Sequence, residues 1–172
     1  ASCLVGSEMC IRDRKNTYLF ILYMVIKMKE NNELLEHIYQ DAEMAYYTLE
    51  KLEDFLKEKD NKIKGLIEEI KEEYQEFMQQ AESRLEKDKQ EIIPEDMMTK
   101  WMAKMGIKKE VKSDNSDSSI ADLLIKGISM GSINMEKKIK DYEKTCNKED
   151  LKLAKKFLKF QEDTIEELKE YL

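Results

Sequence analysis

Residues 34–85 read LLEHIYQDAEMAYYTLEKLEDFLKEKDNKIKGLIEEIKEEYQEFMQQAESRL, and this stretch decides the fold class. Leu35, Ile38, Ala42, Ala45, Leu49, Leu52 and Leu56 recur at steps of three and four, which lays one apolar stripe along a helix. Lys59-Asp60-Asn61-Lys62 interrupts the stripe, and Asp60 or Asn61 is a suitable N-cap for a second helix. Ile63, Ile67, Ile70, Tyr74, Phe77, Ala81 and Leu85 then continue the same spacing. So short a connection makes the two helices antiparallel neighbours.

Downstream, Pro94-Glu95-Asp96 resembles the first turn of a short helix, with Met98, Trp101, Met102 and Met105 on one face and Gly106 closing it. Ser113 to Ser119 reads as a loop, and Ser119 with Asp122 resembles a capping box. A third helix carries Ile120, Leu124, Ile128, Gly131, Met135, Ile139 and Tyr142. Asn147 and Asp150 form a second cap pair, before a fourth helix with Ala154, Leu158, Gln161, Ile165, Leu168 and Leu172 inward. The first and third connections are a few residues long, and the middle one is about thirty. Two helical hairpins joined by one long crossover is the ferritin-like arrangement, whereas an up-down-up-down bundle has three short loops. The expectation is therefore an all-α, ferritin-like antiparallel four-helix bundle whose crossover contains a short helix.

Upstream, residues 3–14, CLVGSEMCIRDR, resemble the translation of a sequencing-library adaptor. TYLFILYMVI, residues 17–26, is too short for a membrane span of about 20 apolar residues, and no small-residue cleavage site follows it. Met24-Val25-Ile26 can be encoded with a ribosome-binding sequence just ahead of Met28. Residues 1–27 are accordingly read as adaptor and untranslated read-through, and residues 28–172 as one domain. Without the first segment Cys146 is the remaining cysteine, which suits a reducing cytoplasm and offers no metal-binding spacing.

The 172-residue chain has 39% charged residues, five Gly, one Pro and a net charge of -7. This composition excludes collagen-like and disulfide-scaffold classes, and the acidic balance argues against general nucleic-acid binding. The excess of Lys and Glu fits long, solvated helix faces.

AEMAYYTLEKL (42–52), DNSDSSIADLLIKGISMGSINMEKKIKDYE (114–143) and LAKKFLKFQEDTIEELKEYL (153–172) resemble an uncharacterised bacterial family of small ferritin-like proteins. The resemblance implies a bundle descended from metal-binding ancestors. Metal-active bundles of this kind carry a Glu on each of two helices and Glu-x-x-His on the other two. Here the inward pair on the fourth helix is Gln161 and Thr164, and the second helix presents Tyr74 and Phe77. The dinuclear ligand set is lost. The single histidine, His37, is flanked by Glu33 and Asp41 at helical spacing, which suits a surface ion pair better than a weak metal site.

Glu43 and Glu136 border their stripes and are the best candidates for a carboxylate-only metal site. Glu69/Glu72, Glu73/Glu76 and Glu162/Glu166 also have helical spacing, but so do charges throughout the chain, and solvated faces account for them. Gly127 and Gly131 lie mid-helix, where each glycine costs about 1 kcal/mol against Ala. A tight helix crossing explains them better than a small pocket or dimer contact. Met98, Trp101, Met102 and Met105 could form a partner-binding surface, although burial against the bundle is the preferred account. Lys152, Lys155, Lys156 and Lys159 make a basic strip without interleaved aromatics, so nucleotide stacking is not expected. Cys146 sits in a turn and is expected to be exposed, without a catalytic role. No phosphate loop, nucleophile elbow or Cys-x-x-Cys pair occurs.

The function expected from sequence is a non-catalytic structural or protein-interaction module, needing no cofactor and pairing with a second copy or another protein, not with nucleic acid or a membrane. The alternatives are an iron- or manganese-binding oxidative-stress protein using Glu43 and Glu136, and peripheral docking through Met98, Trp101 and Met102.

Overall fold

The computed structural model describes residues 33–87, Gly106 and residues 114–172. Residues 1–27, expected to be read-through, the expected start at Met28 and the Met98–Met105 stripe lie outside the described residues. Four long helices run through the described residues: α1 (33–56), α2 (Lys64–Lys87), α3 (Asp117–Tyr142) and α4 (Lys148–Leu168), the last followed by a 3₁₀ turn, Lys169–Tyr171. No strand occurs among the described residues. Gly106, expected to end the crossover helix, is itself helical.

The apolar stripes pack into one core. Leu35, Ile38, Leu52 and Leu56 of α1 are fully buried, as are Ile67 and Leu85 of α2 and Met135 of α3. Each such side chain contributes about 1.5–3 kcal/mol on leaving water. By comparison, the exposed pairs Lys140–Glu136 and Lys159–Asp163 at i,i+4 contribute about 0.3–0.5 kcal/mol apiece. Burial of the stripes therefore holds the bundle, and the charged faces keep it in water.

On α4 the buried face is turned from the one expected. It consists of Asp150, Leu153, Ala154, Phe157, Gln161, Thr164 and Leu168, while Leu158 and Ile165 are only partly buried and Leu172 is exposed. The reason is Phe157, whose ring packs edge-on against Phe77 at 5.0 Å and Tyr74 at 5.9 Å between centroids. A large ring filling the space between two others outweighs the partial burial of Leu158.

The helix ends are tied by polar contacts. Asn147 caps α4, its Oδ1 accepting the Asp150 N–H at 2.8 Å, and its amide donates back to the Asp150 carboxylate. Asp150 Oδ1 also accepts Arg84 Nη1 from the end of α2 at 2.7 Å. The cap of α3 is Ser116, whose Oγ accepts the Ser119 N–H, so the helix starts before the expected Ser119–Asp122 box. Asn61 caps no helix of its own. Its amide donates to Asn115 O and Asp117 Oδ1, both at 2.8 Å, and Asp117 Oδ2 accepts the Lys62 N–H at 3.1 Å. The start of α2 is thus fastened to the start of α3. Lys71 of α2 pairs with Glu53 of α1 at 2.7 Å, and the Tyr142 hydroxyl at the end of α3 donates to Glu33 at the start of the described part of α1. Cys146 is buried rather than exposed, because the turn after α3 folds its side chain inward.

Candidate functional site

One residue from each helix meets at the middle of the bundle. Gln161 of α4 donates from Nε2 to Asp41 Oδ2 of α1 at 2.7 Å. The pair lies directly on Gly131 of α3: a Cβ there would come within 2.8 Å of Asp41 Oδ2 and 2.9 Å of Gln161 Nε2. Tyr74 of α2 completes the group beside Gln161, whose side chain acts on its hydroxyl. Burial pushes the Tyr74 hydroxyl well above the ordinary tyrosine range, the Asp41 charge adds to the rise, and the Gln161 contact offsets part of it. The phenol therefore keeps its proton. Phe77, Phe157 and Phe160 pack against the Tyr74 ring or each other at 5.0–6.5 Å between centroids on the α2–α4 side.

Gln161 is 1% exposed, and its Oε1 has no hydrogen-bond partner. A buried amide acceptor without a partner costs about 1–3 kcal/mol. Gln161 borders a cavity of about 340 Å³ between α1 and α3, with Met44 and Leu49 on one wall and Leu124, Gly127 and Ile128 on the other. Asp41 and Tyr74 line it beside Gln161, and Gly106 reaches it from the crossover. Gly131 thus answers to a close approach, as the sequence suggests, made by a hydrogen-bonded pair of side chains from α1 and α4. At Gly127 a Cβ would meet nothing within 4 Å, so it borders open space.

Comparison with known protein families, characterised proteins and solved structures finds no significant match. Function rests on the chain's own geometry.

Of the expected metal ligands, Glu136 is exposed and paired with Lys140 Nζ at 2.7 Å, while Glu43 is half-buried on α1. Among the described residues no group of three or more His, Cys, Asp or Glu side chains converges on a point where a cation could sit. The charged pairs Glu69/Glu72, Glu73/Glu76 and Glu162/Glu166 face solvent, as do Lys152, Lys155, Lys156 and Lys159. The partner surface Met98, Trp101, Met102 and Met105 lies outside the described residues. No helix among the described residues is long and apolar enough to cross a membrane.

His37 departs from its expected surface role. Glu33 takes the Tyr142 hydroxyl and Asp41 turns inward to Gln161, so neither serves His37 as the expected ion-pair partner. Its Nε2 is buried without a hydrogen-bond partner. Burial, with the Lys138 charge added, holds the imidazole below its ordinary pKa. Sequence reasoning also missed Asp41. The signal was present: a carboxylate bordering Ala42, opposite two seam positions, Gly131 and Gln161, that could not fill an apolar layer.

Proposed function

We propose that this chain is a ferritin-like four-helix bundle that works without catalysis, as a small structural or interaction module. Contacts at the helix ends support the chain path. Glu53–Lys71 joins the later part of α1 to the early part of α2, and Asn61–Asp117 brings the starts of α2 and α3 together. Glu33–Tyr142 and Arg84–Asp150 join start to end across the other pairs. On this reading α1 and α2 run antiparallel, the crossover returns the chain so that α3 runs with α2, and α4 returns against α3. A reducing cytoplasm suits the buried Cys146.

The observation that carries the non-catalytic reading is the Asp41–Gln161 pair on Gly131. It places a single carboxylate, Asp41, with an amide and a phenol where a ferritin-like metal centre draws several carboxylates and two imidazoles. The test is metal content. The full chain is expressed with iron and manganese supplied, purified without a His tag and submitted to elemental analysis. Metal well below one equivalent is expected. Stoichiometric metal that is lost on Glu43→Ala or Glu136→Ala overturns this reading in favour of a carboxylate metalloprotein.

A further inference from the structure

The outward side of α1 is shielded in a way that the outward sides of α2 and α4 are not. No residue from 33 to 49 is exposed, whereas α2 and α4 expose a residue in every turn. Glu36, Gln40, Glu43 and Tyr47 lie at helical spacing opposite the buried Leu35, Ile38, Ala42 and Leu49, and all four are half-buried. Glutamates in the corresponding position on α2, among them Glu69, Glu72 and Glu76, are exposed, so a helix's own turns do not provide such cover.

The chain path says what provides it. Asn61 fastens the start of α2 to Asp117 at the start of α3, and the 24 residues of α2 carry its end about 36 Å away at about 1.5 Å per residue. Residues 88–113 must therefore return along the length of the bundle to reach α3. The Tyr74 and Phe77 rings set α2 beside α4, Glu53–Lys71 joins α1 to α2, and α1 borders α3 across the cavity of about 340 Å³. α2 and α3 thus stand diagonally, and a return outside the bundle passes over α1 or over α4. The α4 face is exposed and carries Lys152, Lys155, Lys156 and Lys159, which repel a segment bearing Lys100, Lys104, Lys108, Lys109 and Lys112 against one carboxylate, Glu110. The α1 face carries Glu36 and Glu43 and is the covered one. Gly106, within the crossover and next to Met105, lies at the cavity between α1 and α3.

We propose that the crossover seats on the α1–α3 cleft, with Met98, Trp101, Met102 and Met105 on the apolar mouth of the cavity and the flanking lysines beside the outward carboxylates of α1. Met44, Leu123 and Leu124 line that mouth, so the seated stripe removes apolar surface from water on both sides. The occupant of the cleft is the chain's own segment, and the stripe is withdrawn from docking to a partner or a membrane. The inference goes beyond the structural-module reading and is independent of metal content, so either can fail alone.

Two measurements on the full chain test it. Trp101 is the single tryptophan, so fluorescence reports the stripe alone. Its native emission is expected to lie to the blue of the urea-unfolded chain, with severalfold weaker quenching by acrylamide. Met44→Glu places a charge in the cleft and should move the emission to the red, whereas Met130→Glu, at a residue 69% exposed on α3, should leave it unchanged. Carbodiimide crosslinking followed by peptide mass mapping then locates the segment, and if Met44→Glu fails to fold it decides alone. Crosslinks within one chain from Lys100, Lys104, Lys108 or Lys109 to Glu36 or Glu43 are expected. A water-exposed Trp101 overturns the proposal, as does a Met44→Glu emission unchanged in the folded variant. Crosslinks from those lysines only to α4 carboxylates, or none to α1, also overturn it. Crosslinks to α1 only from Lys15, Lys27 or Lys29 give the face to the upstream segment instead, and crosslinks only in a species of twice the chain mass give it to a second copy.

Discussion

Gln161 Nε2 and Asp41 Oδ2 meet at 2.7 Å across the bundle, and Gly131 is the reason they can. With Tyr74 these residues place a polar layer among the apolar side chains of the core. A slip of any helix by one turn would bring a carboxylate or an amide against Leu or Ile side chains, where a lost partner costs about 1–3 kcal/mol. The layer therefore selects one register among those the apolar stripes alone would tolerate.

The two glycines of α3 should respond to alanine with opposite signs. Gly131→Ala pushes a methyl group into the Asp41–Gln161 pair, and overpacking of this kind costs about 1–3 kcal/mol, more than the gain in helix propensity. Gly127→Ala meets nothing and should stabilise by about 0.5–1 kcal/mol. Urea unfolding of both variants checks this, and a stabilised Gly131→Ala would contradict the close approach.

Gln161→Leu removes the Asp41 donor and should cost about 2–3 kcal/mol, since a hydrogen bond to a charged group is worth about 1.5–3 kcal/mol. Asp41→Leu combined with Gln161→Leu should lose less than the sum of the two single changes. A coupling energy of about 1 kcal/mol or more in a double-mutant cycle is expected; additive losses would mean that the two side chains act separately.

Most of this architecture was legible in sequence because apolar stripes report which face is buried: the expected seams of α1, α2 and α3 are in the core, apart from the partly buried Ala45 and Tyr142. The α4 seam was misread by about one residue because hydrophobicity alone does not distinguish Leu158 from Phe157. What decides is the shape of the partners, the Tyr74 and Phe77 rings on another helix. Asp41 was misassigned for a related reason. Local spacing paired it with His37, yet its true partner is 120 positions away on α4. Asn61 likewise looks like a local cap and acts across the chain, on Asp117.

His37 should make stability fall in mild acid. Its folded pKa lies below the ordinary 6.5, so below that pH the unfolded chain takes up a proton that the folded chain resists. The contribution is fully present above 6.5 and is lost as pH falls from there toward the folded value. Glu36 works the other way: burial and the Glu33 charge raise it above 4.5, with Lys138 opposing, so folding gains as pH falls through its raised value. Urea midpoints should drop between about pH 7.5 and about pH 5.5. The drop should shrink in His37→Gln and grow in Glu36→Gln, and an unchanged drop in His37→Gln would assign it to another group.

Asp150 should matter far more than any exposed carboxylate. It completes the Asn147 cap and holds Arg84, with only 6% of its side chain exposed. Asn147→Ala should cost about 1 kcal/mol, the usual worth of a cap. Asp150→Ala should cost about 2–3 kcal/mol, because it removes the cap's reciprocal contact and leaves the Arg84 guanidinium, itself 30% exposed, without this partner. Glu136→Ala breaks an exposed pair and should stay within about 0.5 kcal/mol of the parent chain. Denaturant unfolding of the three variants ranks them. If Asp150→Ala behaved like Glu136→Ala, the Arg84–Asp150 contact would not be what holds the end of α2 to the start of α4, and the apolar seams alone would have to do so.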